Sequence, residues 1–417
     1  MSFEVLFFAV LAGGWLAGRL FERLKLPAVL GMTLFGVLLA ILAPLFAGEN
    51  GQVWPGGFWE LVPFLKSLAL VVILLRAGLG ISRRELQRAG LPALLMTFIP
   101  CLLEGFALTA LLMWLLDFSF FTAGLTAFML AAVSPAVVVP SMLDLRSRGL
   151  GQRNGIITVI LAGASVDDVF AITMFTVFLG LAEGAAVPVL AGEAGLGVSA
   201  AAAAGPGTLG TLLGLPLALF GGLAIGLLLG LVLAWWFKKH HESIRATEKM
   251  LLLLASALFL VQIGNWFHLA ALLGVMAVGF VLLEKAETVA HELAAKLGKI
   301  WIFAQILLFV IIGLSLELPA LQAVGGKALL ALALGLAARS FGVLLATWPS
   351  AMSLKERWFC VIAYLPKATV QAALGGVALA AGLPEGRLIL AIAVLAIVVT
   401  APLGLIGIRL GARYLLD

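Results

Sequence analysis

Apolar runs of about twenty residues recur along the whole of this 417-residue chain, separated by short loops that carry most of its charge. A helix of that length spans the roughly 30 Å hydrocarbon core of a bilayer. With no water there to satisfy backbone groups, helices are the structure such runs can form. The residue content agrees. The chain is 63% hydrophobic and 11% charged, where a soluble domain carries about 25% charged residues. It is read as an all-α polytopic membrane protein, one transmembrane unit over 1–417. The opening segment, MSFEVLFFAVLAGG, lacks a basic leader region and a convincing cleavage site. It is read as the first membrane helix.

Hydropathy predicts about thirteen spans, at 3–20, 28–46, 58–79, 91–116, 120–142, 155–181, 208–237, 250–267, 269–284, 300–316, 327–347, 357–382 and 387–411. With the N-terminus outside, the inner loops collect Arg19, Arg23, Lys25, Arg83, Arg84, Arg88, Arg146, Arg148, Arg153, Lys238, Lys239, Arg245 and Lys249. Further along they collect Lys285, Lys296, Lys299, Lys355, Arg357, Arg409 and Arg413, whereas the outer loops hold only Lys327 and Arg387. This is the inside-positive bias expected of an odd number of spans, with the N-terminus outside and the C-terminus cytoplasmic. The same distribution explains the net charge of +5 without a nucleic-acid partner, since the basic residues sit in loops rather than on one folded face. An Ala/Gly-rich linker at 182–207 leads into span seven, a linker helix at 208–237. Six spans before it and six after give halves of opposite orientation, the inverted-repeat plan of many secondary transporters.

Within this plan, polar residues inside spans are expensive and therefore informative. Between Asn154 and Ala182, Asp167 and Asp168 are the only charged residues. A carboxylate at bilayer depth costs about 2.5–3.5 kcal/mol on insertion scales. Two neighbours are tolerable only if they bind a cation, bind protons, or alternate between them. Neighbouring helical residues point about 100° apart, so the two need not share a role. Hard cations such as Na⁺ or Li⁺ take oxygen ligands. Desolvation favours a neutral carboxyl and a bound cation favours the carboxylate, so proton and metal ion compete for one site.

Two spans are interrupted. Span five contains Pro135 and Pro140 in AAVSPAVVVPSML, and span twelve contains Pro366 beside Lys367 in AYLPKATVQAALGG. These spans hold equivalent places in the two halves. Interruptions at matching positions point to a midplane site where freed backbone groups face an ion. Ser134 and Thr369 lie beside the breaks and, with Ser165, offer oxygens. Glu104 in span four and Arg339 in span eleven also correspond across the repeat. An intramembrane Glu and Arg are expected to pair, although Arg339 can instead face Asp167. Lys367 is a counter-charge for the broken helix ends or a participant in the chemistry. Lys66 and Arg76 in span three are read as interfacial, His240–His241 as part of a solvated inner loop, and Cys101 and Cys360 as buried free thiols. No Walker A motif, potassium-filter motif or metal-ligand spacing of Cys and His is present. A transporter rather than an enzyme is expected, with no cofactor.

The runs SPAVVVPSM, GASVDDVFAIT and LPKATVQAALG, with LLRAGLG in span three and the Glu after a proline in span four, resemble the NHA branch of the cation/proton antiporter superfamily. The resemblance covers about residues 65–405. It implies the Na⁺/H⁺ antiporter fold of thirteen helices with two broken helices that cross. It implies a homodimer with a scaffold of 1–90 and 250–316 and a moving core of 91–181 and 327–411. It implies exchange of Na⁺ or Li⁺ for H⁺ by elevator-type alternating access in a bacterial inner membrane, in the service of pH homeostasis. Asp168 becomes the principal ion- and proton-binding carboxylate, Asp167 its neighbour, and Glu104–Arg339 a core ion pair. Electrogenic relatives carry a Lys where Arg339 stands, which bears on stoichiometry. A K⁺/H⁺ exchanger on the same scaffold is the first alternative. A Na⁺-coupled organic-solute symporter is a weaker one, because few membrane Asn, Gln or Tyr residues are available to line a larger cavity.

Overall fold

The computed structural model describes residues 2–46, 54–80, 83–151, 154–185, 208–267 and 269–416. Most of the 182–207 linker, as well as Arg153 and the side chain of Ser165, therefore lies outside the described residues. Every regular element among those described is helical. The first is α1 (Phe3–Phe8), which passes through a wider π turn into α2 (Gly14–Arg23). Next come α3 (Ala28–Leu42), α4 (Phe58–Leu79), α5 (Arg83–Met96), α6 (Ile99–Leu116), α7 (Phe120–Ala131), α8 (Pro135–Ser147) and α9 (Ile156–Ala185). After the linker come α10 (Thr208–Lys239), α11 (Ala246–Phe267), α12 (Ala271–Lys285), α13 (Glu287–Leu314) and α14 (Leu318–Thr347). The chain closes with α15 (Leu354–Ala363), α16 (Thr369–Ala380) and α17 (Gly386–Tyr414). Ten helices among the described residues are long and apolar enough to cross a membrane, while the apolar helices Phe120–Ala131 and Thr369–Ala380 are shorter.

Several sequence expectations are refined. Span four is divided by a turn at Thr97–Phe98 before α6, and a kink at Gly90 stands just ahead of the span. Gly90 has φ 69° and ψ −160°, a conformation open to glycine and strained for other residues. Span ten begins earlier than hydropathy suggests, at Glu287. Helix α11 runs through Gly264 to Phe267. Pro140 does not break its span. Helix α8 continues through it to Ser147, and Pro140 lies exposed on the outer side of the helix. One lost amide donor is absorbed there without ending the helix, whereas Pro135 stands at the first helical position, where no amide bond is forfeited.

The packing falls into two groups of neighbours. Helix α13 lies against α3 and α4, and α12 against α4 and α10. In the other group α6 packs on α14 and α7, α9 on α7 and α5, and α17 on α14, α15 and α16. Helix α16 touches α4 and α13 across the seam between the groups. In lipid, close packing rather than hydrophobic exclusion holds helices together, so small residues mark the tightest contacts. At the α4–α12 contact a Cβ added to Gly78 would lie 2.1 Å from the Met276 carbonyl oxygen. A Gly78→Val change is therefore expected to push these helices apart and cost about 1–3 kcal/mol. A lowered thermal midpoint of the detergent-solubilised protein checks this, and an unchanged midpoint refutes it.

Candidate functional site

The site is built where α7 and α15 stop short and α8 and α16 begin. Ser119 caps the start of α7 by accepting from the Thr122 amide at 3.1 Å. Its end is set by Ala132, which leaves the helix with ψ 141°. Helix α15 starts with a capping box formed by Ser353 and Glu356 and runs to Ala363, after which residues 364–368 are non-helical. The two interruptions meet. The Ser134 amide donates to the Pro366 carbonyl at 2.8 Å, and Ser134 Oγ lies 3.5 Å from both the amide nitrogen and Oγ1 of Thr369.

Four terminal carbonyls of α7 lack intrahelical donors, as at any helix end. Arg339 of α14 donates through Nη1 to the Ala131 carbonyl. Gln371 of α16 donates through Nε2 to the carbonyls of Met129, Leu130 and Ala132 at 3.1, 3.3 and 2.8 Å. Arg339 Nε also donates to the Tyr364 carbonyl at 2.7 Å. One guanidinium thus serves the C-terminal ends of both broken helices, where helix dipoles concentrate negative potential.

The same guanidinium holds two carboxylates. Its Nη1 donates to Glu104 Oε2 at 2.8 Å and its Nη2 to Asp167 Oδ2 at 3.2 Å. Lys367 Nζ donates to the same Glu104 oxygen at 2.8 Å. Asp167 also accepts from the Val133 amide at 2.8 Å. Arg339, Glu104, Lys367 and Asp167 are all 0% exposed. Arg339 therefore pairs with both Glu104 and Asp167, the two partners that the sequence offered as alternatives.

Asp168 is different. It is 3% exposed and its carboxylate joins no ion pair with another described residue; its Oδ1, like Asp167 Oδ1 and Glu104 Oε1, has no hydrogen-bond partner among them. The adjacent positions face different surroundings, as the 100° step of a helix requires. Asp167 enters a network of charges, and the buried Asp168 carboxylate stands outside it. The four networked charges sum to zero when all are ionised, so the carboxylate of Asp168 is the one left to be neutralised by something else.

Three participants have no charge to betray them in the sequence. Gln371 is the sole amide side chain between Leu354 and Tyr414, and Tyr364 is one of two tyrosines in the chain. Each is rare in its surroundings, and rarity is the signal that was available. Thr400 of α17 accepts from the Lys367 amide at 2.9 Å but resembles any membrane threonine, since it also bonds back to Ala396. Two basic residues are more enclosed than their flanks suggest. Lys66 is half-buried: it donates to Ser315 Oγ at 3.3 Å and lies beside Gly376 of α16. Lys249 is 1% exposed and donates to both Nδ1 and the carbonyl of His241 at 2.9 Å, so this inner loop is partly tied down. Arg76 is exposed, with its guanidinium over the Trp301 ring. Cys101 and Cys360 are buried free thiols.

Two interrupted helices that meet inside a helical bundle, around buried carboxylates, define a membrane transporter of the secondary type. The chain belongs to the sodium/hydrogen exchanger family, whose model (Sodium/hydrogen exchanger, transmembrane) matches residues 6–410. It is 32% identical to sodium/hydrogen exchanger 9B2 of Xenopus tropicalis over 429 residues, covering 98% of this chain and 74% of that protein. Sodium/hydrogen exchanger 9B1 of Homo sapiens is 29% identical over 436 residues, covering 98% of this chain and 78% of that protein. Among solved structures, the sodium proton antiporter MjNhaP1 from Methanocaldococcus jannaschii matches with a TM-score of 0.70 at 20% identity, covering 97% of this chain and 94% of that one. The likeness to that structure is one of fold.

Proposed function

We propose that this protein is a secondary antiporter that exchanges Na⁺ or Li⁺ for H⁺, with Asp168 as the carboxylate that alternates between proton and cation. The observation that carries the reading is the contrast between the two aspartates: the Asp167 carboxylate is engaged by Arg339 and Val133, while the buried Asp168 carboxylate joins no ion pair with another described residue. Ser134 and Thr369 lie at the meeting point of the breaks and supply further oxygens to the ion. Asp167, held in the network, helps to place it. Membership of the sodium/hydrogen exchanger family supports the choice of ions. The inverted repeat of thirteen helices, the homodimer and the elevator movement of 91–181 with 327–411 against 1–90 with 250–316 belong to the same proposal. The stronger packing of α6, α7, α9 and α14–α17 among themselves, and of α3, α4 and α10–α13 among themselves, than across the seam supports the last of these. An orientation with the N-terminus outside and the C-terminus cytoplasmic, in a bacterial inner membrane, is proposed from the basic loops.

Because Glu104, Asp167, Arg339 and Lys367 compensate one another, the exchange at Asp168 is one proton for one monovalent cation and moves no net charge. In proteoliposomes an imposed Na⁺ gradient is expected to drive an internal pH change, with no sustained current on a solid-supported membrane. A sustained current would refute the charge count while leaving exchange intact. Transport driven by K⁺ alone would replace this reading with the K⁺/H⁺ alternative. Uptake of an organic solute with Na⁺ would replace it with the symporter.

A further inference from the structure

The end of α7 is held by its counterpart across the site. Beyond Ala131 the backbone turns extended, which strips the last turn of its internal donors. At membrane depth no water is at hand, and an unsatisfied carbonyl there is costly. Arg339 serves one of these carbonyls. The other three are served by a single neutral amide, Gln371 Nε2, which is 0% exposed and sits two residues into α16. An amide nitrogen carries two hydrogens, so one of them is shared between carbonyls.

This contact reaches the ion site through the backbone. One residue past Ala132, the Val133 amide donates to Asp167, and the next residue is Ser134, which touches Thr369. Whatever fixes the Met129–Ala132 carbonyls fixes the direction of the Val133 N–H and the position of Ser134. We infer that Gln371 is a positioning residue for cation binding: its side-chain amide clamps the C-terminus of α7 and so aims Val133 at Asp167 and Ser134 at the ion. The inference rests on the proposed exchange of cation and proton at Asp168. Its chemistry is separable from the fixed charges. A neutral amide donates without altering the charge of the network, and a carboxylate in its place only accepts. A protonated carboxyl donates one hydrogen, which makes the Glu variant a titratable replacement for the clamp.

The test uses full-length protein carrying Gln371→Leu or Gln371→Glu, in proteoliposomes and in detergent. For Gln371→Leu the KM for Na⁺ is expected to rise about tenfold, and backbone hydrogen exchange over 132–138 to quicken about tenfold. Exchange elsewhere in α7 is expected to stay as in the wild type. Gln371→Glu is expected to show a pH–activity profile displaced to the acid side of wild type, since only the protonated side chain donates. A KM within twofold of wild type in Gln371→Leu overturns the inference. Should Gln371→Leu fail to fold, Gln371→Glu decides alone, and a profile that overlays the wild type overturns the inference. If the wild type itself exchanges no cation for protons, the functional reading falls instead, and the clamp then stands or falls on the hydrogen-exchange result.

Discussion

Purified Asp168→Asn protein is expected to lose Na⁺-driven proton flux by at least about a hundredfold, to the level of empty vesicles. Asparagine nearly matches aspartate in shape, so the packing around α9 survives. What disappears is the capacity to hold a proton at one time and a cation at another. The structure also predicts the sign of the stability change. Asp168 is buried with an unpartnered oxygen, and a carboxylate at such depth costs about 2.5–3.5 kcal/mol on insertion scales. Removing the charge therefore leaves the thermal midpoint equal to or above that of the wild type without cation. A second readout separates binding from turnover. A ligand that binds only the folded state at a hundred times its Kd stabilises by about 2.7 kcal/mol. Wild type in saturating Na⁺ should show a gain of this size, and Asp168→Asn none. Because proton and cation compete for one carboxylate, the gain in wild type is present at high pH and fades as the medium is acidified. Exchange at wild-type rate in Asp168→Asn, or undiminished stabilisation by Na⁺, would remove Asp168 from its assigned role. Asp167→Asn should behave differently. It keeps Asp168 but leaves Arg339 with one carboxylate fewer, so its first symptom is lost stability.

The helices and the paired aspartates are legible in the sequence because both rest on local physics. Twenty apolar residues form a helix in lipid whatever surrounds them, and two carboxylates in such a run stand out against their neighbours. The interruption before Pro135 is legible for the same reason, yet Pro140 looks identical to it in composition. What separates them is position along the helix: Pro135 occupies the first turn, where its missing amide costs nothing, and Pro140 loses one bond on an exposed face. Lys66 shows a different limit. Its flanks read as an interfacial lysine, and its half-burial comes from distant parts of the chain, Gly376 of α16 against its side chain and Ser315 as its hydrogen-bond partner. The network itself is the least legible part. Arg339 meets Glu104 at a separation of 235 residues and Asp167 at 172, so its choice of both partners follows from how α6, α9 and α14 converge. Gln371 carries no charge, and although it is the sole amide side chain between Leu354 and Tyr414, its role appears only once the carbonyls it serves are seen to be orphaned.

Arg339→Ala is expected to damage the protein more than any other single change in the network. The guanidinium donates to Glu104, Asp167, the Ala131 carbonyl and the Tyr364 carbonyl, and its removal leaves all four short of a donor. Removing one partner of a buried ion pair costs about 3–5 kcal/mol, because the other charge stays buried without compensation. Here two carboxylates are affected, and Lys367 remains as a partial substitute for one of them. The detergent-solubilised variant should melt far below wild type or fail to be recovered. Arg339→Lys keeps the positive charge, but an ammonium has three donors on a flexible stem and cannot reproduce the planar fork, so an intermediate midpoint is expected. The double variant Glu104→Ala, Arg339→Ala gives the sharper comparison. If the two act as a pair, its loss should be smaller than the sum of the single losses, by about 0.5–3 kcal/mol. Asp167 would still be left without its guanidinium, so recovery is partial. A wild-type midpoint for Arg339→Ala, accompanied by altered Na⁺ affinity, would move Arg339 out of the framework of the bundle and into the ion site itself.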